Sequence, residues 1–151
     1  MDWGERRIGV AISDPTGLIA TGHETLTVRG ENDACEQLAA LAEAEGVERV
    51  VVGLPLLLSG EEGEAARAAR GFARKLRERT GLPVDTYDER LTSALSERRL
   101  REVREGGRGA GRGRNPRSTR RTPKSDVDRG AAVALLESYL QRLRTRTGRR
   151  E

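Results

Sequence analysis

Apolar residues recur along this chain with two different periods, and the changes of period divide it into elements. Residues 7–13, RIGVAIS, form a short apolar run with β-branched residues that reads as a strand. Residues 18–20 and 24–28 alternate well enough to be two more strands, and the turn residues Asp14, Pro15 and Gly17 separate the first two. Ala34, Leu38, Leu41 and Ala42 then fall on one stripe of a helix, with Asn32 or Asp33 to cap its start and Gly46 its end. Residues 49–54, RVVVGL, are almost continuously apolar, which suits a strand covered on both faces, and Pro55 ends it.

Residues 62–80 predict the next helix. Ala65, Ala69, Phe72, Ala73 and Leu76 form its buried stripe, and Gly81 closes it. Its acidic residues come early and its basic ones late, which matches the helix dipole. Residues 83–89 predict a strand with Val84 and Thr86 on one face and Asp85 and Tyr87 on the other. Thr92 is the expected cap of a helix running to about residue 105. Residues 106–124 are rich in Gly and Arg, contain Pro116 and Pro123, and have the composition of a flexible loop. A last helix is expected over 125–143, followed by a frayed basic tail over 144–151. The strand–helix–strand order between 49 and 89 predicts a parallel pair with a right-handed crossover. The expected architecture is therefore α/β, one domain over 1–143, with a mixed central sheet flanked by helices.

Charge sharpens this picture. The formal net charge is +4, but residues 1–97 carry 11 basic and 18 acidic side chains, whereas residues 98–124 carry 11 basic and 2 acidic. An acidic body with one concentrated basic segment suggests a polyanionic partner docked at a defined place. Within that segment Arg112, Arg114, Arg117, Arg120, Arg121 and Lys124 are the expected phosphate contacts. The plain alternative is a solvated basic loop. Aromatic residues are only 3% of the chain, so base stacking on an aromatic platform is not the expected binding mode. Cys35 and His23 are the only residues of their kinds, which excludes an intrachain disulfide, a thiolate metal cluster and a His-rich metal site. No apolar run is long enough to span a membrane, and the first residues have no apolar signal core, so a cytoplasmic protein is expected.

Three carboxylates stand where a charge is costly or unexpected. Asp2 precedes the first apolar strand in Asp-x-Gly. Glu89 follows Asp88 at the end of a strand. Asp128 begins a helical stripe that continues through Ala131, Ala132, Leu135 and Tyr139. Each has a simpler reading. Ser125-x-x-Asp128 matches a capping box, Glu89 is a turn residue beside Arg90, and Asp2 is an exposed terminal residue. Taken as a set on separate elements, they are the all-oxygen ligand type that suits a pair of hard divalent cations.

These residues lie in four boxes that resemble the YqgF nucleases. Asp2-Trp3-Gly4-Glu5-Arg6-Arg7-Ile8-Gly9-Val10-Ala11-Ile12-Ser13-Asp14 is similar to the family's opening D-x-G-x-x-R-I-G-x-A-x-S-D. Val52-Gly53-Leu54-Pro55 matches its VGLP turn, and Asp88-Glu89-Arg90-Leu91-Thr92 its DERLT box. Val127-Asp128 with Ala131-Ala132 and the stretch 136–140 is similar to its final helix. The resemblance implies a ribonuclease H-like fold, catalytic and metal-binding acids at Asp2, Glu89 and Asp128, and a two-metal site for Mg²⁺ or Mn²⁺. It also implies processing of the 5′ end of precursor 16S ribosomal RNA. An older reading of the family is Holliday-junction resolution, with branched DNA as substrate. A third reading, from another class, is a catalytically inactive nucleic-acid-binding module. A sugar-kinase-like phosphotransferase fits less well, because the chain has no G-x-x-x-x-G-K-[ST] loop. Two features depart from the family pattern. Only Met1 precedes Asp2, where several apolar residues are usual, so we expect an upstream extension of roughly four to eight residues, in keeping with the ordinary strand length. The 106–124 segment is longer and richer in Gly and Arg. Nothing in the sequence marks an oligomer face.

Overall fold

The apolar run at 7–13 makes two strands. A computed structural model describes residues 6–92 and 124–147 of the chain, and in it the run divides into β1 (Arg7–Ile8) and β2 (Ala11–Ser13). Both pair antiparallel with the returning chain, β2 with β3 (Ala20–Gly22) and β1 with β4 (Leu26–Thr27). Ala11 lies opposite Gly22 and Ile8 opposite Leu26, so the two residues Gly9 and Val10 on one arm face the three residues His23, Glu24 and Thr25 on the other. The extra residue on the return arm is a bulge, and it breaks one ladder into two. The return arm also starts later than the pattern at 18–20 suggested. Asp14 holds the turn, its carboxylate accepting from the amides of Leu18 at 2.9 Å and Ile19 at 2.8 Å. Leu18 and Ile19 therefore sit exposed in the turn.

Helix α1 (Glu31–Ala44) starts ahead of its expected caps, with Gly30 at the N-cap. Asp33 lies inside the first turn and reaches back to accept from the Arg29 amide at 2.8 Å. Helix α2 (Glu64–Thr80) buries Ala66, Ala69, Phe72, Ala73 and Leu76. Ala66 replaces the expected Ala65, which is exposed. Gly81 closes α2 as expected, with φ of 70° and its amide on the Arg77 carbonyl. An ion pair between Lys75 and Glu31 ties the two helices together.

Strands β5 (Val50–Leu54) and β6 (Val84–Asp88) are parallel, with Val52 opposite Thr86 and Leu54 opposite Asp88. This is the strand–helix–strand unit predicted around α2. Antiparallel and parallel pairing are thus both present. The described ladders are three two-stranded pairs, with an isolated bridge at Gly9, and one continuous central sheet is not seen among the described residues. Packing supplies the continuity instead. Ile8, Val10, Val28 and Val52 share one buried cluster with Leu38 of α1 and with Phe72 and Leu76 of α2.

The last helix, α3 (Lys124–Thr147), is longer than expected at both ends. Residues 144–147, read from the sequence as tail, are helical. Their threonines return hydrogen bonds to the helix, Thr145 to the Arg142 carbonyl and Thr147 to that of Leu143. Arg144 and Arg146 also suit the negative end of the dipole. Thr92 proves not to be a cap. Arg90, Leu91 and Thr92 are already helical, and Asp88 caps them, its Oδ1 accepting from the Arg90 amide at 3.0 Å. The remainder of the helix expected over 92–105 and the loop residues 106–123 lie outside the described residues.

Strand alternation sorts side chains between two helical layers. Ile8, Val10 and Val52 turn to α1 and α2, and Leu54 packs on Ala66 and Ala69 of α2. Val51 and Tyr87 turn the other way, to Leu135 and Tyr139 of α3. The strands therefore form the middle of three layers.

Candidate active site

Glu89 sits just past β6, where its amide bonds the Leu54 carbonyl at 3.2 Å and so fixes it to the end of β5. Its carboxylate lies over Gly53. A Cβ added at Gly53 would stand 2.5 Å from Glu89 Oε1 and 2.8 Å from Leu135 Cδ1, so any larger residue there would push both side-chain ends aside. The neighbouring Asp88 is engaged elsewhere. It grips the Arg90 guanidinium, with Nη2 to Oδ2 at 2.7 Å, and this partner holds its carboxyl below the usual carboxylate range.

Asp128 is placed by a second glycine. A Cβ at Gly9 would meet the Asp128 carbonyl oxygen at 2.1 Å, so the first turns of α3 rest on bare backbone of the hairpin. Asp128 Oδ2 is buried, accepts no hydrogen bond, and lies 3.5 Å from Arg7 Nε. Ser125 lies inside α3, and the Asp128 carboxylate faces β1. Of the expected stripe, Ala132, Leu135 and Tyr139 are buried, while Ala131 is exposed.

Polar contacts hold α3 in register along this face. Tyr87 and Ser138 share a buried hydrogen bond of 2.8 Å, and the Tyr139 hydroxyl donates to Asp85. The two rings meet edge to face with centroids 5.7 Å apart. The Tyr139 hydroxyl and the Arg49 guanidinium together keep the Asp85 carboxyl below its ordinary value, while burial pushes the Tyr139 phenol up.

Two of the three expected acids, Glu89 and Asp128, thus face the α3 side of the strands although they come from distant parts of the chain. Asp2 lies outside the described residues, as do Arg112, Arg114, Arg117, Arg120 and Arg121. Lys124 is the first residue of α3 and is exposed. No group of three or more candidate ligands is found among the described residues. Each acid separately has the chemistry of a ligand for a hard divalent cation. Both are oxygen donors, one oxygen of Asp128 is buried without a hydrogen-bond donor, and a side chain at Gly53 would fill the space that Glu89 takes. Sequence reasoning did not single out Arg7, Gly9 or Gly53 as site residues. Gly9 and Gly53 carried a signal all the same, because a glycine inside a strand pattern marks close approach of another group.

A family model described as "RuvX: Holliday junction resolvase" matches residues 1–142. The chain belongs to the RuvX family. A relative of this RuvX chain from Chloroflexus aurantiacus is 38% identical over 149 residues, 99% of this chain and 89% of the relative. Another, from Moorella thermoacetica, is 41% identical over 146 residues, 95% of this chain and 93% of the relative. Both are named "Putative pre-16S rRNA nuclease". A solved structure of Thermus thermophilus RuvC in complex with a Holliday junction substrate aligns with a TM-score of 0.49 and 13% identity, covering 93% of this chain and 98% of that one. The family assignment does not depend on that alignment. The family is the one that the four sequence boxes resemble. No described helix of this RuvX chain is long and apolar enough to cross a membrane.

Proposed function

We propose that this chain is a metal-dependent nuclease that hydrolyses phosphodiester bonds, acting in the cytoplasm on the 5′ end of precursor 16S ribosomal RNA. Family membership supports the reaction class, and the names of the relatives favour the RNA substrate. The observation that carries the reading is that Glu89 stands over Gly53 while the Asp128 backbone rests on Gly9, each acid set beside a bare glycine. Both glycines belong to the boxes that first suggested the family.

Glu89 and Asp128, with Asp2, would hold Mg²⁺ or Mn²⁺. Bound divalent cations supply Lewis acidity for the attacking water and charge stabilisation for the leaving oxygen. The protein's own part is positional. Gly53 and the Leu54 carbonyl fix where Glu89 stands, and the Asp128 backbone of α3 rests on Gly9, just past β1. The basic segment ahead of α3, with Arg112, Arg114, Arg117, Arg120, Arg121 and Lys124, would bring phosphates to this face.

The test compares cleavage of a precursor 16S RNA and of a four-way DNA junction, each with and without Mn²⁺ or Mg²⁺. Cation-dependent cut precursor ends are expected. The family description favours junction resolution as the second reading, and preferential cutting of the junction would establish it. Cation-independent binding to either substrate with no cleavage would leave a binding module.

A further inference from the structure

Asp128 poses a problem that a cation site alone does not solve. One of its oxygens is buried without a hydrogen-bond donor, and a buried carboxylate needs a compensating charge. Arg7 supplies it. The Arg7 Nε stands 3.5 Å from that oxygen, beyond good hydrogen-bonding distance but close enough for charge compensation. The contact is long and partly exposed. The Arg7 side chain is 35% exposed and that of Asp128 24%, so the guanidinium has solvent to move into. Arg7 reaches Asp128 because strand alternation puts it on the same side of β1 as Gly9, the residue against which the start of α3 rests.

We infer that Arg7 is a placeholder cation: it neutralises Asp128 while no divalent ion is bound, and gives the carboxylate up when one arrives. The inference rests on the metal-nuclease reading and assigns Arg7 a positioning role within it. A divalent ion and a guanidinium compete for one carboxylate, and they repel each other at that range. Arg7 therefore lowers cation affinity while preserving the geometry of the site without its cation.

The experiment measures Mn²⁺ binding by calorimetry and melting temperature with and without Mn²⁺, using the full chain and its Arg7→Gln and Arg7→Lys variants. Arg7→Gln should bind Mn²⁺ about ten-fold more tightly, a modest effect because the pair is partly exposed. Its melting temperature without cation should fall by roughly 2–6 °C, the cost of an uncompensated carboxylate, and this gap should close in saturating Mn²⁺. A merely structural arginine would leave the gap open. Arg7→Lys keeps the charge but loses the fixed fork, so it should shift both readouts in the same direction by less. It also provides the test if Arg7→Gln does not fold. Unchanged or weaker Mn²⁺ binding in the variants, or a gap that persists in Mn²⁺, overturns the placeholder role. If the wild-type chain binds no Mn²⁺ at all, the cation-site reading falls first and takes this inference with it.

Discussion

The two faces of the strand layer are built from different materials. Toward α1 and α2 the strands present Ile8, Val10, Val52 and Leu54, met by Leu38, Ala66, Phe72 and Leu76. Toward α3 they present Arg7, Gly9, Gly53, Asp85 and Tyr87, met by Asp128, Ser138 and Tyr139, with Glu89 at the edge. Adjacent residues of one strand contribute to opposite faces, so a two-residue period separates stability from chemistry. The first face gains from removing apolar area from water. The second keeps charges at defined positions, and it does so by leaving side chains out at Gly9 and Gly53.

The sharpest way to break this contrast is on the α3 face. Glu89→Gln and Asp128→Asn should each lower cation-dependent cleavage by a factor on the order of a hundred or more, because each removes a negative ligand with little change of shape. Melting curves should show both variants folded. A variant that melts early yet still cleaves would return its residue to a structural role. On the opposite face, Phe72→Ala should cost about 3–5 kcal/mol in denaturant unfolding, since the ring is fully buried. The protein that remains folded should keep its Mn²⁺ affinity, and a specific loss of affinity would mean that the two faces are coupled.

Gly53→Ala tests the division at a single atom. The new methyl would push aside the side-chain ends of Glu89 and Leu135, so weaker Mn²⁺ binding is expected as Glu89 is displaced, with a destabilisation of only about 1 kcal/mol. Val51→Ala, on the same face within the cluster of Tyr87, Leu135 and Tyr139, should lose stability alone. The smallest effect is expected at Asp88. Asp88→Ala removes the cap on the Arg90 amide and should cost about 1 kcal/mol. Cleavage should suffer far less than in Glu89→Gln. Because Arg90 lowers the Asp88 carboxyl below 3.8, the charged form is favoured in the folded state. Its contribution is therefore complete above the unfolded value and is lost as pH falls through the folded one. The wild-type advantage over Asp88→Ala should shrink in acid unfolding below about pH 4, the ordinary aspartate range, and an advantage independent of pH would remove the charge from the explanation.

Much of the architecture was legible in the chain. The 3.6-residue stripes located α1, α2 and α3, and the continuous run at 49–54 marked β5 as a strand covered on both faces. Local chemistry was harder to read. Thr92 looked like a cap because threonine caps helices, but Asp88 stands at the right offset from Arg90 and its carboxylate is the better acceptor. Leu18 and Ile19 looked like strand because they are apolar, whereas the Asp14 carboxylate holds their amides in a turn. The bulge opposite Gly9 and Val10 left no mark, because register depends on the partner strand.

By itself the sequence determined which segments become helix or strand, which acids were worth watching, and which family they belong to, because periodicity and motif spacing are local properties of the chain. Only the tertiary structure decided that Glu89 rests over Gly53, that Asp128 turns from its own helix toward Arg7, and that both lie on the α3 face. Those facts depend on how closely separate elements approach, and that distance is set by side chains from both sides of a contact, including the two that glycine omits.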